Sequence, residues 1–124
     1  MMNIEVIRDY CLSLPKVTEG FPFDDTTLVF RVADKIFAII DLLTTDSLVV
    51  KCNPQTAIEL REKHEEIAGA YHMNKRYWNQ INLAGNLSDR FIFQQIRHSY
   101  NEVIRKIPRK KTIEQGLFLV DETS

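Results

Sequence analysis

No stretch of this chain approaches the ~18 to 20 uninterrupted apolar residues of a membrane-spanning helix, so no membrane partner is expected. Met1 to Tyr10 lack the basic start and apolar centre of a signal peptide. Cysteine is scarce: Cys11 and Cys52 lie far apart and match no metal or redox spacing. They read as small apolar residues in a reducing cytoplasm. With four glycines there is no Gly-rich phosphate loop, and neither a nucleophile elbow nor an HExxH pair occurs. Internal repeats and low-complexity stretches are missing as well. What remains is a chain of 124 residues, 44% hydrophobic and 27% charged, with a formal net charge of −1. That describes one globular domain, able to bury about two-thirds of its unfolded surface without metal or disulfide.

The small net charge hides an asymmetry. Residues 1–70 carry seven Lys/Arg against twelve Asp/Glu, residues 71–111 nine against two, and the last thirteen none against three. Five of the cations, Arg105, Lys106, Arg109, Lys110 and Lys111, fall within seven residues. A positive face is the footprint of an anionic partner, nucleic acid above all. The bland alternative is that these side chains complement the end of a helix dipole.

The order of elements follows from apolar periodicity and turn residues. Asn3 caps a helix with an apolar stripe Ile7, Tyr10, Cys11 and Leu14, stopped by Pro15. Lys16 to Asp25 reads as a loop with extended pieces. Thr27 to Ala33 and Ile36 to Leu42 are β-branched and aromatic, a hairpin turning at Asp34–Lys35. Ser47 to Cys52 is a third strand after the polar turn Thr44–Thr45–Asp46. Asn53–Pro54 starts a helix with Ala57, Leu60, His64 and Ile67 inward, ending at Gly69. Tyr71 to Asn74 and Trp78 to Leu83 read as a second strand pair, joined near Lys75–Arg76. Gly85–Asn86 turns the chain, and Ser88 caps the longest helix, striped by Ile92, Ile96, Tyr100, Val103 and Ile107 up to Pro108. Short turns make neighbouring strands antiparallel. The expected fold is a two-layer α+β domain over residues 1–111, with residues 112–124 a tail that docks through Leu117 to Val120.

Four segments resemble the MmcQ/YjbR family of small bacterial proteins: FPFDDTTLVFRVADKIFAII (21–40), LVVKCNPQTAIELRE (48–62), YHMNKRYWNQINL (71–83) and SYNEVIRKIPRK (99–110). The most specific piece is Tyr71-His72-Met73-Asn74-Lys75 followed by Trp78. The likeness covers roughly residues 3 to 111. It implies a five-stranded antiparallel sheet covered by helices, similar to CyaY and the type III secretion chaperones. It also implies DNA binding through paired hairpins described as a double wing, and brings no catalytic set and no cofactor. Tyr77 departs from the pattern, standing where similar proteins commonly have His.

The residues from His72 to Asn79 concentrate hydrogen-bond donors and aromatic faces. Lys75 and Arg76 suit phosphates, Asn74 and Asn79 suit base edges, and Tyr77 suits stacking; alternation along a strand would put Lys75, Tyr77 and Asn79 on one face. Trp78 is expected in the core. The candidate DNA contacts are therefore Asn74, Lys75, Arg76, Tyr77 and Asn79, with Arg105, Lys106, Arg109, Lys110 and Lys111. Catalytic residues, metal ligands and cofactors are not expected. His64 reads as an interface or surface residue and His98 as exposed, while Glu19, Asp24 and Asp25 lack the alternating oxygens of a cation loop. The expected partner is DNA, bound weakly and with strong salt dependence, by a monomer. The alternative is a protein-interaction or chaperone-like module using the sheet face or the acidic helix.

Overall fold

Each of three helices begins on a side chain that accepts backbone N–H groups. In a computed structural model describing residues 2–44 and 46–123, Asn3 Oδ1 accepts from Val6 N–H at 2.9 Å and opens α1 (Ile4–Ser13). Asn53 Oδ1 accepts from Gln55 and Thr56 at the head of α2 (Pro54–Lys63). Ser88 Oγ accepts from Phe91 N–H and opens α3 (Asp89–Arg105). These caps satisfy donors that the first helical turn leaves without a partner. A fourth helix, α4 (Arg109–Gln115), follows Pro108 and ends at Gly116, which takes the left-handed conformation at φ 67°.

The strands are β1 (Val17–Gly20), β2 (Thr27–Val32), β3 (Lys35–Asp41), β4 (Ser47–Lys51), β5 (Ile67–Gly69) and β6 (Trp78–Asn82). They form one antiparallel sheet in the order β1-β2-β3-β4-β6-β5. The α+β architecture is the expected one, with a sixth strand and a fourth helix. The sixth strand is β1: Val17 to Gly20 pair with Val29 to Val32, giving β2 a partner on its outer edge. A strand of four residues is too short to stand out in a sequence; the unpaired edge of β2 is what selects it.

The second hairpin differs from expectation. Tyr71 to Asn74 belong to an eight-residue loop, 70–77, and the strand that pairs with β6 is Ile67–Gly69. Accordingly α2 stops at Lys63, four residues before Ile67, which lies opposite Ile81 and is 4% exposed. Ile67 continues the inward stripe of α2 at helical spacing, so a helix and a short strand bury the same side chain. The open edge of β6 favours the strand. Thr45 lies outside the described residues, and with it part of the expected Thr44–Asp46 turn.

The turn between β2 and β3 falls at Ala33–Asp34, one residue earlier than expected. Both have positive φ, 51° and 63°, the backbone of a type I′ turn. This geometry matches the twist of the flanking strands, and here it overrides the strain of a left-handed alanine. Gly85 is required for a different reason: a Cβ there would sit 2.4 Å from Glu66 Cγ, while Glu66 Oε2 accepts from Asn86 N–H.

The core lies between the sheet and α1 and α3. Leu28, Phe30, Ala38, Ile40, Leu48, Val50 and Ile81 meet Ile7, Cys11, Ile92, Ile96, Tyr100 and Val103. Phe37 packs edge-on against Tyr100, whose hydroxyl donates to Pro15 O at 2.6 Å. The C-terminal segment lies on the same body, with Leu117 and Val120 against the core. Asn101, 1% exposed, donates from Nδ2 to Val120 O and Glu122 Oε2, and accepts Val120 N–H at Oδ1. His98 is not the exposed residue the sequence suggests. Its Nδ1 lies 2.8 Å from Glu122 Oε1 and its Nε2 accepts Asn53 N–H at 3.2 Å, so both ring nitrogens are engaged.

Candidate nucleic-acid interface

One buried serine organises the end of the sheet where the basic residues meet. Ser99 Oγ, on α3, accepts Lys51 N–H at 2.8 Å and donates to Phe37 O. It ties the last residue of β4 to the bulged part of β3, where register shifts opposite Phe30/Arg31. Leu48 and Val50 face the core, so alternation turns Lys51 to the other face of the sheet. Directly across the ladder stands Trp78, and Lys51 Nζ lies 6.0 Å from its ring centroid.

Around this pair is a cleft of about 710 Å³. Lys35 enters from the β2–β3 hairpin, Lys106 and Ile107 from the end of α3, Lys111 from α4, and Met73 from the 70–77 loop. Asp34 is its one carboxylate. Among the described residues, Lys35, Lys51, Lys106 and Lys111 make no salt bridge. Burial and then the charge of Lys106, with a further contribution from Lys35, hold the Lys51 ammonium below the usual lysine range, partly opposed by Glu102. Like charges brought together with little neutralisation are poised for an anion.

A second cleft, of about 620 Å³, lies over the open sheet face and shares Met73 with the first. Ile39, Val49 and Gln80 line it, with Asp24, Asp41 and Asp46. A basic and an acidic cleft thus lie on either side of one methionine, Met73.

The ten candidate contact residues separate. Lys106 and Lys111 line the basic cleft, while Arg109 and Lys110 are exposed on α4 outside its lining. Arg105 is partly neutralised by Glu102 at 2.6 Å and Glu122 at 3.5 Å. Lys75 and Arg76 are exposed on the loop between Met73 and Trp78, and Arg76 lies 5.7 Å from the Tyr77 ring centroid. Tyr77 is half-buried, its carbonyl accepting Cys52 N–H. Asn74 folds the loop, its Oδ1 accepting Arg76 N–H at 3.0 Å. Asn79 is 2% exposed, with its Oδ1 held by Arg61 Nε at 2.7 Å, so it has no access to a base. Lys75, Tyr77 and Asn79 therefore do not share an exposed face, because 75–77 is loop rather than strand. Trp78, expected in the core, is half-buried beside the cleft.

Sequence reasoning missed three residues. Arg61 fastens the 70–77 loop by donating to Asn79, to Trp78 O at 3.3 Å and to Lys75 O. Lys35 reads as a turn residue beside Asp34 and Lys51 as the lone cation after an apolar strand, both far along the chain from the basic run. The alternation of Ser47 to Lys51 was the one signal, since it points Lys51 away from the core.

The sequence profile of the YjbR family matches residues 12–102, from the last two residues of α1 to near the end of α3. The chain belongs to the YjbR family. The uncharacterized protein YjbR of Escherichia coli K12 is 26% identical over 111 residues, 89% of this chain and 94% of that one. The crystal structure of Deinococcus radiodurans protein DR2400, a DUF419 domain, superposes with a TM-score of 0.92 at 33% identity, covering 99% of this chain and 94% of that chain. A crystal structure of a Pseudomonas syringae protein gives a TM-score of 0.67 at 26% identity, over 79% and 96%. In this YjbR-family chain the matched residues include Lys35, Lys51, Met73 and Trp78, while Lys106 and Lys111 lie beyond them. Among the described residues no helix is long and apolar enough to cross a membrane, and no three His, Cys, Asp or Glu side chains gather as a metal site would require.

Proposed function

We propose that this YjbR-family chain binds DNA, and that the basic cleft and its rim are the contact surface. The supporting observation is the convergence of Lys35, Lys51, Lys106 and Lys111, from four separate elements, without a salt-bridged carboxylate among the described residues. Such a set neutralises phosphates and releases their counterions, which makes affinity fall steeply with salt. Lys75 and Arg76, exposed between two cleft residues, extend the positive surface. With Asn79 buried and the Asn74 oxygen used within its loop, little remains to read base edges, so binding is weakly dependent on sequence.

Titration of a labelled duplex by fluorescence anisotropy at several salt concentrations tests this. Neutralising about three or four phosphates gives a log–log slope near −3. The double variant Lys106→Gln/Lys111→Gln should flatten that slope by about 2. No binding of either duplex or single-stranded DNA at low salt, or a slope unmoved by the double variant, refutes the reading.

Phe21, Phe23 and Tyr71, at 50%, 65% and 76% exposure, favour a second reading, a protein-interaction module. Phe23 and Tyr71 border the acidic cleft. A partner captured there would resist high salt and be lost in Phe23→Ser/Tyr71→Ser.

A further inference from the structure

The lining of the basic cleft is not what a duplex needs. A duplex offers its phosphates on a convex cylinder, and a flat or ridged positive surface serves it as well as a hollow. Here the cation set back from the rim is Lys51, half-buried on the sheet beside the half-buried ring of Trp78. The exposed lysines 35, 106 and 111 surround it. Ile36, Met73 and Ile107 supply apolar surface between them. At about 710 Å³ the hollow falls within the roughly 300–1,000 Å³ of sites that enclose small ligands. A duplex meets the exposed rim lysines before the half-buried Lys51, whereas a flexible strand can fold into the hollow. Alternation of cations with an aromatic ring and apolar surface suits a phosphate linked to an unpaired base, because every base has a π-face to stack.

We infer that the cleft seats unpaired DNA, one base packing against Trp78 and Met73 while neighbouring phosphates meet Lys51 and the surrounding lysines. This rests on the DNA-binding reading and specifies the form of DNA. Burial first, and then the charges of Lys106 and Lys35, hold the Lys51 ammonium below the usual lysine range, and a phosphate seated there would relieve the repulsion among these cations. Arg61 acts as a positioning residue. Its own side chain is not part of the cleft lining, but it holds the carbonyls of Lys75 and of the cleft residue Trp78, and so the loop that carries Met73.

The chain contains a single tryptophan, so emission excited where its four tyrosines do not absorb reports on Trp78. Titrating the full chain with an oligothymidylate of about a dozen nucleotides, and separately with a duplex of equal length, should quench Trp78 only with the single strand. The single strand should bind about tenfold more tightly at equal salt. Lys51→Met, which keeps the alkyl stem, should weaken single-strand binding about tenfold and alter duplex binding less than twofold. Lys51→Gln serves as the second variant if Lys51→Met melts at a lower temperature than the parent. Equal or tighter duplex binding, or single-strand binding without quenching, overturns the inference while leaving the chain a DNA-binding protein. Failure of both probes to bind at low salt removes both readings.

Discussion

Replacing Asn101 by alanine probes what holds the C-terminal segment, and with it the helix that brings Lys111 to the cleft. Asn101 is 1% exposed and makes three hydrogen bonds to that segment: to Val120 O at 2.8 Å, from Val120 N–H at 2.9 Å and to Glu122 Oε2 at 2.7 Å. Two neutral bonds contribute about 1 kcal/mol each and the bond to a carboxylate about 2, so keeping the segment docked without them costs about 4 kcal/mol. Lifting the segment off forfeits the same bonds together with the partial burial of Leu117 and Val120, roughly 1 kcal/mol each, and the His98 and Arg105 contacts to Glu122, but it returns the conformational entropy of the freed residues, about 1 kcal/mol each. That entropy caps the expected loss at about 2 to 3 kcal/mol. For a domain of this size that lowers Tm by about 10 °C. Thermal melting gives the magnitude and hydrogen exchange gives the route, since amides 117–123 should lose protection while those of β2 to β4 keep it. A Tm within about 2 °C of the parent, with Val120 still protected, would show that Asn101 does not anchor the segment.

Three further outcomes follow from local chemistry. Ala33→Asn places a residue that tolerates positive φ at the first turn position and should raise stability by about 0.5 to 1 kcal/mol; an unchanged or lower Tm counts against the strain argument. Burial alone would push the Glu122 carboxyl up, but the hydrogen bonds from Asn101 and His98 and the charges of His98 and Arg105 outweigh it and hold the group below its ordinary value. The unfolded chain therefore binds this proton more readily, and the stabilisation is full above about pH 4.5 and fades as pH falls below it. Melts between about pH 6 and pH 3 should fall more steeply for the parent than for Glu122→Gln, and parallel curves would contradict the assignment. Burial pushes the Cys52 thiol up to about 12 and raises Cys11 as well, so both should resist a thiol reagent in the native protein and react on denaturation. Prompt native labelling of either would refute their burial.

Much of the fold was legible because it is written in local signals. Asn3, Asn53–Pro54 and Ser88 cap helices through short-range hydrogen bonds, and the β-branched runs of β2, β3 and β4 contain their own alternation. The misplaced elements depend on partners distant in the chain. Val17–Gly20 is a strand because β2 has an open edge, and Ile67–Gly69 because β6 does. In the second hairpin, the polar residues at 74–77 marked a turn correctly, but the strand before it lay farther back along the chain. The candidate site was half legible. Lys106 and Lys111 belong to a visible basic run, whereas Lys35 and Lys51 join them only through the sheet, and Asn79 was withdrawn by Arg61.

The sequence by itself determined the α+β class, the helix starts, the YjbR resemblance and the separation of acidic and basic stretches, because capping, periodicity and charge are properties of neighbours along the chain. Tertiary structure decided which cations share a cleft. It also turned Trp78 from an expected core residue into a cleft residue and engaged the nitrogens of His98 in holding the C-terminal segment. The reason is that strand pairing and helix packing bring together groups dozens of residues apart, and only at those contacts do burial and repulsion arise.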